Sequence, residues 1–353
     1  MDLSAFEVGL KVIESACGPL AAFFLYPGKK RTIIAGANAG SQATFNIPGE
    51  LEGLTGPVEV QKDVFLSSIK GRKEGNVTLA DGQLTIVAGT YKTVVNITEA
   101  RDTIAVGEPS EGQEFTMTPE LHSYLMKTLP TLRIERVHAA LPDVMVHLRL
   151  TEKSAFAVTF DPMQLCYVTT PNKTGAAFSA TLPYTRFTSF IKDLPVANAK
   201  IVITPEAIFA FTKTFSVQIA IPVIDEASAT SPDEVYQKAK EIAKVQADQV
   251  VSLAKGELEL FLENAKALVA VGTEVQFVPS KKGTTLIVDS PKGKVSLALK
   301  TANKHDKFGL DYRFVQSLLQ KSKDELSFFV VDKTFVVSKA SVVYVALLSA
   351  SEE

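Results

Sequence analysis

A short amphipathic pattern that occurs three times in the chain constrains its fold more than any other feature of the sequence. The pattern reads FLSSIKG at 65–71, FTSFIKD at 187–193 and VQSLLQK at 315–321, with about 120 to 130 residues between copies. Each copy is followed by three runs in which apolar and polar residues alternate, as they do in half-buried strands. The constant order of one helix and three strands indicates an internal repeat.

A second helix is predicted upstream of each copy, at 3–16, 118–129 and 256–269. Thr118 and Pro119 form a helix start signal, because threonine is a good N-cap and proline is tolerated at the first helical position. Further alternating runs lie between the two helices of each pair. The pattern therefore predicts an α+β fold of three tandem domains, each a doubled unit of one helix plus antiparallel strands.

Composition shifts place the boundaries between these domains. The turn-rich segment GEPSEGQE at 107–114 separates the first domain from the second. The segment at 232–246 reads as an additional helix that begins near Pro232 and has no counterpart between the first two domains. The predicted divisions are domain 1 at 1–112, domain 2 at 113–224, a linker with the additional helix at 225–246, and domain 3 at 247–353.

The composition is that of a globular protein, with 46% hydrophobic and 22% charged residues among 353. The N-terminal residues form neither a secretory signal nor a long apolar run, so we expect no membrane span and a cytoplasmic location. Cys17 and Cys166 lie in apolar stretches and are expected as buried, reduced thiols. Because the net charge is −2, any binding to DNA must come from the local placement of charge.

Motifs for catalysis or cofactor binding are missing from the sequence. It contains no GxxxxGK[ST] phosphate loop, no GxGxxG after a strand, no HExxH and no cysteine cluster with zinc spacing. None of the four histidines pairs with a cysteine or a carboxylate at a recognisable spacing. We therefore expect a binding or scaffolding protein with no enzymatic activity, cofactor or metal site, while a hydrolase or transferase site built without local motifs stays open.

Basic residues recur on the polar sides of the predicted helices. The windows 3–17, 61–73, 118–136, 184–193, 255–267 and 311–324 carry 15 Lys and Arg against 11 Asp and Glu, which leaves −6 for the rest of the chain. The candidate DNA-facing residues are Lys62, Lys70, Arg72, Lys73, Lys127, Arg133, Arg136, Arg186, Lys192, Arg313, Lys321 and Lys323. Solvated helix faces carry such charges in any protein, and Glu257, Glu259 and Glu263 favour that alternative.

The whole arrangement resembles the sliding clamp family, in particular the three-domain bacterial type, the DNA polymerase III β subunit. The resemblance spans essentially the full chain and is carried by segments such as VQKDVFLSSIKGRKEGNVTLADGQLTIVAG at 60–89, FTMTPELHSYLMKTL at 115–129 and LDYRFVQSLLQKSKDELSFFVVD at 310–332. Such clamps dimerise head to tail into a ring whose central hole is lined by helices. The ring encloses duplex DNA without reading its sequence and tethers the replicative polymerase.

The resemblance implies a processivity factor whose partners are double-stranded DNA, a DNA polymerase, a clamp loader and a second copy of the chain, with no role for a membrane. A modestly positive lining on an acidic body suits a protein that slides, because it holds phosphates weakly. By analogy, the strand near 92–98 of one subunit meets a third-domain edge of the other.

Clamps of this family hold polymerase and clamp-loader peptides in an apolar pocket between the second and third domains. The resemblance places in it Phe160, Pro162, Met163, Leu165, Tyr344, Val345 and Leu347, from the FDPMQL loop and the C-terminal YVALL strand. Plain core packing is the alternative role for Val345 and Leu347. The run at 161–164 departs from the Asp-Gly-His-Arg type usual in bacteria, which together with the additional helix favours a divergent clamp, such as a phage protein, with its own partner motif.

Two other functions stay open on the sequence. A monomeric processivity factor could bind DNA through charge without closing a ring. Alternatively, the repeats could be the scaffold of a β-rich structural or ligand-binding protein.

Overall fold

The structure is a computed structural model, and it describes the chain except for residues 20, 101–103, 135–143, 162–163, 222–231, 245–248, 271, 282, 300–304, 322–324, 333–334, 340–342 and 348–353. The described residues form helices and antiparallel strand ladders, so the predicted α+β class is confirmed. They divide into two compact units, unit 1 with residues 1–125 and 186–223 and unit 2 with residues 126–185 and 224–353. The boundaries of the three sequence repeats stay a prediction.

Unit 1 is built from helices over a continuous antiparallel sheet. Its elements are α1 Leu3–Cys17, β1 Ala22–Gly28, β2 Arg31–Asn38, β3 Ser41–Pro48, β4 Val58–Val60, α2 Lys62–Ile69, β5 Asn76–Ala80, β6 Gln83–Ala88, β7 Tyr91–Glu99, β8 Gln113–Thr116, β13 Lys200–Ile203, β14 Ala207–Phe211 and β15 Phe215–Ala220. The strand order is β5-β6-β7-β4-β1-β2-β3-β15-β14-β13-β8. The predicted linker is therefore shorter than expected, because β8 already begins at Gln113.

Two helices cross the division between the units, α3 Pro119–Thr131 and α4 Tyr184–Asp193. Thr118 caps α3 as predicted, since its hydroxyl accepts a hydrogen bond from the Leu121 N–H at 3.1 Å.

Unit 2 holds two further sheets. Its elements are β9 Met145–Leu150, β10 Ser154–Phe160, β11 Gln164–Pro171, β12 Phe178–Pro183, α5 Pro232–Lys244, β16 Gln249–Ala254, α6 Lys255–Ala265, β17 Glu274–Ser280, β18 Gly283–Ser290, β19 Gly293–Leu299, β20 Phe308–Asp311, α7 Tyr312–Lys321, β21 Glu325–Asp332, β22 Phe335–Lys339 and β23 Val343–Leu347. The strand orders are β12-β9-β10-β11-β23-β22-β21-β16 and β19-β18-β17-β20. The predicted additional helix is confirmed as α5.

Large aromatic side chains fix the helices of unit 1 to the sheet. Phe65 of α2 lies 5.5 Å, centroid to centroid, from both Phe6 of α1 and Phe23 of β1. The helix α1 approaches β2 closely through Gly9, where an added Cβ would come within 2.2 Å of the Ile34 side chain. The apolar sides of α1 and α2 therefore serve packing in unit 1.

Candidate functional site

The predicted partner pocket begins where the C-terminal strand joins the sheet of unit 2. β23 pairs antiparallel with β11, which puts Val345 directly opposite Leu165 and Ala346 opposite Gln164. Tyr344 pairs instead with Cys166, one register position further along. The backbone thus brings two distant predicted parts of the pocket side by side, the FDPMQL loop and the YVALL strand.

A turn closed by Asp161 and Gln164 holds the loop side of the predicted pocket in place. The Asp161 carboxylate accepts hydrogen bonds from the Gln164 backbone N–H and from its side-chain amide, both at 2.9 Å. The Asp161 N–H donates to the Gln164 carbonyl, also at 2.9 Å. Phe160 and Leu165 therefore stand opposite each other across β10 and β11, each only 8% exposed. Pro162 and Met163 lie outside the described residues.

Phe160 and Leu165 of the predicted pocket belong to one face of the sheet, which we call the α5 face, whereas Tyr344, opposite Cys166, belongs by register to the other face. Cross-strand partners share a face and residues two apart return to it. By the register of β9, β10 and β11, the α5 face comprises Met145, His147, Arg149, Phe156, Val158, Phe160, Leu165 and Tyr167. The opposite face carries residues such as Thr159, whose hydroxyl hydrogen-bonds the Leu132 carbonyl beyond α3.

Helix α5 packs on the α5 face through a small set of specific contacts. Asp233 accepts a hydrogen bond from the Arg149 guanidinium at 2.9 Å. The same guanidinium stacks over the ring of Tyr236, 4.6 Å from its centroid, and Phe156 meets that ring edge-on at 4.8 Å. Val235 is buried as well. The additional helix is thus part of the packed body of unit 2.

Among the residues that the structure describes, two polar groups are buried on the α5 face without a hydrogen-bond partner. They are the Nε2 atom of His147 and the hydroxyl of Tyr167, which flank Val158 on the neighbouring strands. The other ring nitrogen of His147 lies 2.9 Å from the Thr181 hydroxyl. Burial lowers the pKa of His147, and the nearby Arg149 charge lowers it further, against a smaller opposing effect of Asp233.

Among the candidate DNA-facing residues, Lys62 is held by its own unit. Its ammonium donates a hydrogen bond to the Pro19 carbonyl and lies 3.6 Å from the Glu14 carboxylate, at the end of α1. The side chain is only 13% exposed. A contact with DNA stays a prediction for this residue, but the structure gives its charge a partner within the chain.

Lys62 links the start of α2 to the end of α1, and a similar hydrogen bond occurs at the same position of the other two repeats. Tyr184 opens α4 and donates its hydroxyl hydrogen bond to the Leu129 carbonyl of α3 at 2.8 Å. Tyr312 opens α7 and does the same to the Leu262 carbonyl of α6 at 2.7 Å. In each repeat, the first residue of the second helix therefore donates a hydrogen bond to a backbone carbonyl in or just beyond the last turns of the first helix.

Most of the other candidate basic residues are exposed on or beside the helices where the sequence placed them. Exposed residues are Lys70, Lys73, Lys127, Arg133, Arg186, Lys192 and Arg313. Arg72 is half-buried, because it hydrogen-bonds the Ser68 carbonyl and stacks over the Tyr91 ring at 4.5 Å. Lys321 is the last residue of α7, and its side chain is not among the described groups. Arg136 and Lys323 lie outside the described residues. Contact of these residues with DNA stays a prediction.

Helix α6 carries the acidic exposed face that the sequence indicated. Glu257, Glu259 and Glu263 are exposed, and the last two pair with Lys255 and Lys266 at 3.7 Å. Such exposed pairs contribute little to stability, about 0.3–0.5 kcal/mol each. The positive charge of the helices is therefore uneven from one helix to the next.

Within the part of the chain that the structure describes, His, Cys, Asp and Glu form no group of three that could hold a metal ion. In the same residues, no helix has the length and apolar character needed to cross a membrane.

Sequence reasoning missed three features of these sites. The contact made by Lys62 had a signal in the repeat, because Lys62, Tyr184 and Tyr312 each stand three residues before the start of the repeated pattern in their helix. The Asp161–Gln164 turn and the docking of α5 had none, since both depend on partners that only the folded chain brings together.

Comparison with known proteins gives a uniform result for the fold. No family model and no curated protein matches the sequence. Among solved structures, the DNA polymerase III β chain of Streptococcus pneumoniae TIGR4 matches with a TM-score of 0.76 at 11% identity, over 99% of this chain and 98% of that one. The Thermotoga maritima β subunit matches with a TM-score of 0.75 at 14% identity, over 100% and 99%.

A third match is the Helicobacter pylori β clamp bound to a DNA ligase peptide, with a TM-score of 0.67 at 14% identity over 99% of both chains. These matches run the full length of both proteins at low identity, so they establish architecture. The chain has the fold of the DNA polymerase III β subunits, the bacterial sliding clamps.

Proposed function

We propose that this protein is a DNA sliding clamp, which closes with a second copy into a ring around duplex DNA and tethers a DNA polymerase. The observation that carries the proposal is a strand junction that occurs twice in the chain and leaves one matching pair of edges free. The fold similarity and the missing catalytic motifs support the same function.

The junction joins equivalent strands of successive repeats. β3, the third strand after the first helix of domain 1, pairs antiparallel with β15, the third strand after the second helix of domain 2. β11 and β23 repeat this pairing between domains 2 and 3. The next junction in the series requires β19 to pair with the strand equivalent to β15 and β23, which is β7.

Both of these edges are free in the described residues. β19 is the outermost strand of its sheet, and residues 91–96 of β7 pair with β6 on one side only. Tyr91 and Val94 on β7 are 64% and 45% exposed, which is unusual for apolar side chains on a strand. Two copies arranged head to tail cover both edges, and this heterologous contact closes a ring.

Ring closure is tested by the mass in solution of two matched variants. Light scattering at micromolar concentration should give the wild-type protein a mass twice the 38.1 kDa of one chain. Val94→Asp should give the monomer, because it puts a carboxylate in the junction. Val8→Asp alters an equally exposed valine of α1, at 47%, and should stay dimeric. A monomeric wild type, or dissociation of both variants alike, would contradict the proposed junction.

The DNA-facing surface is assigned to exposed basic residues of the helices. Lys127, Arg186 and Lys192 are the clearest members, since each is exposed on its helix. A ring that slides needs a weak, diffuse attraction to phosphates, and several scattered cations supply it without a fixed register.

A charge-matched comparison tests this lining. Reversing Lys127, Arg186 and Lys192 to Glu should weaken binding to a fluorescent 30-base-pair duplex at low salt by at least about tenfold, since each lost phosphate contact removes counterion release. Reversal of three exposed lysines off the helices makes the same change in net charge and should cost less than about twofold. The control residues are Lys153, Lys213 and Lys292. If both variants lose duplex affinity equally, net charge alone explains the loss, and the assigned lining is refuted.

The partner pocket is assigned to Phe160 and Leu165 together with the adjoining strand β23. A Helicobacter pylori clamp of this fold is bound to a DNA ligase peptide, which supports a peptide site on this chain. The closed Asp161–Gln164 turn keeps the two apolar side chains in fixed positions, and such preorganisation lowers the entropic cost of binding.

A further inference from the structure

We propose that α5 is a proton-sensitive cover of the α5 face, held down by Arg149 and released when the imidazole of His147 takes up a proton. The inference concerns regulation of the proposed peptide pocket, because Phe160 and Leu165 lie on the α5 face. Its link to partner binding rests on the proposed function, whereas release of the helix can be measured without any partner.

Among the described residues, the charged contacts of α5 with this face converge on one cation. Arg149 donates to Asp233 at 2.9 Å and stacks on Tyr236 at 4.6 Å. Lys240 lies on the same ring at 4.9 Å, so Tyr236 already has two cations against it. A third positive charge placed beside Arg149 would act against this whole arrangement.

His147 is the residue that can supply that charge. It stands two residues before Arg149 on β9 and is 2% exposed, and its Nε2 atom finds no hydrogen-bond partner in the described part of the chain. Its neighbours on β10 and β12 are Val158 and Thr181, which carry no charge. Both ring nitrogens of an imidazolium carry a proton, so protonated His147 holds a buried charge and an Nε2–H donor without an acceptor among these neighbours, which is costly.

The other groups around this position do not compensate for the charge. β11 contributes the Tyr167 hydroxyl, which is neutral because burial raises its pKa. The helix α5 contributes Asp233, whose carboxylate already serves Arg149, together with Tyr236 and Lys240. When α5 leaves the face, His147 is exposed to water and regains ordinary imidazole behaviour.

The direction of the pH dependence follows from the linkage between docking of α5 and protonation of His147. The docked state lowers the pKa of His147 below its ordinary 6.5, so the undocked state binds the proton more tightly. Docking is therefore strongest well above pH 6.5 and weakens as the pH falls through and below that value. If docked His147 stays neutral, the docking constant falls by up to about tenfold at pH 5.5, one unit below the ordinary value.

Hydrogen exchange measured by mass spectrometry on the full chain tests the cover. After correction for intrinsic exchange rates, amide protection of 232–244 should fall by up to about tenfold between pH 7.5 and 5.5. Protection of α3 should stay constant as the internal control. His147→Gln, which keeps a polar group for Thr181 but does not titrate, should abolish the change. An unchanged α5 in the wild type, or the same fall in the glutamine variant, would overturn the proposal.

A second variant separates His147 from the carboxylate of α5. Asp233→Asn should lower the protection of α5 at pH 7.5 and keep the further fall at pH 5.5, because His147 still titrates. Loss of the pH dependence in this variant would assign the switch to Asp233 and also overturn the proposal. Neither outcome depends on whether the protein forms a ring or binds a polymerase, so failure of the cover is distinguishable from failure of the proposed function.

Discussion

Substitution of Lys62 by glutamate separates a structural lysine from a DNA-facing one. The sequence groups Lys62 with Lys70 on the polar side of the same helix, but the structure gives them different surroundings. Lys62 hydrogen-bonds the Pro19 carbonyl and is 13% exposed, whereas Lys70 is exposed at the end of α2. Lys62→Glu should therefore destabilise unit 1, and Lys70→Glu should not.

The loss of stability has two parts, because the substitution removes the hydrogen bond to Pro19 and turns the attraction to Glu14 into repulsion. A hydrogen bond from a charged donor contributes about 1.5–3 kcal/mol, and we take about 1.5 because the ion pair behind it is partly exposed. A carboxylate at position 62 would also repel Glu14 by about 1 kcal/mol, the value for two charges 4 Å apart in water, since Glu14 is 45% exposed. The expected loss is about 2.5 kcal/mol for Lys62→Glu, against less than about 0.5 for the exposed Lys70.

Thermal unfolding followed by circular dichroism measures the difference. A loss of about 2.5 kcal/mol should lower the melting temperature by roughly 5–10 °C for a unit of ordinary size, and Lys70→Glu should lower it by less than about 2 °C. Lys62→Tyr copies the residue found at this position in the other repeats and should recover at least half of the loss. Equal melting temperatures for the two glutamate variants, with equal losses of duplex binding, would refute the tie.

Three further outcomes follow from the structure. Leu165→Ala should weaken binding of the Helicobacter pylori DNA ligase peptide by about tenfold or more, as measured by fluorescence anisotropy. Leu260→Ala, an exposed control, should leave the binding unchanged. If the wild type does not bind the peptide, or if Leu165→Ala binds it equally well, the result would count against the pocket. Burial raises the pKa of Cys17 to about 12, so its thiol should resist maleimide at pH 8 in the folded chain and react after denaturation; rapid labelling would contradict its burial. Tyr312→Phe should cost about 1 kcal/mol in urea unfolding, because the Leu262 carbonyl loses a buried donor; no change would argue against the helix tie.

The elements that the sequence predicted are those with a strong local period. The helices at 3–16 and 118–129 appear within a few residues of their predicted ends, because apolar spacing and the Thr118 cap are local signals. The helix predicted at 256–269 stops at Ala265 and continues as a short 3-10 turn over Lys266–Leu268. Element ends depend on tertiary contacts, so they were predicted less well than the elements themselves.

The pairing of distant strands could not be derived from the local pattern. Nothing in the residues around Leu165 indicates Val345 as its strand partner, and the resemblance placed the two residues only in the same pocket. The same limit explains Lys62, which has the sequence pattern of an outward lysine but finds the Pro19 carbonyl 43 residues away. Charge on a helix face is visible in a sequence, whereas the partner that neutralises it is not.

Electron microscopy of the purified chain at micromolar concentration tests the central claim most directly. If β7 and β19 complete the repeated junction, two-dimensional class averages should show closed two-fold rings with a central hole wide enough to admit duplex DNA. The Val94→Asp variant should show single crescents or isolated chains under the same conditions. A wild type that appears only as monomers, or as compact dimers without a hole, would contradict the sliding clamp account.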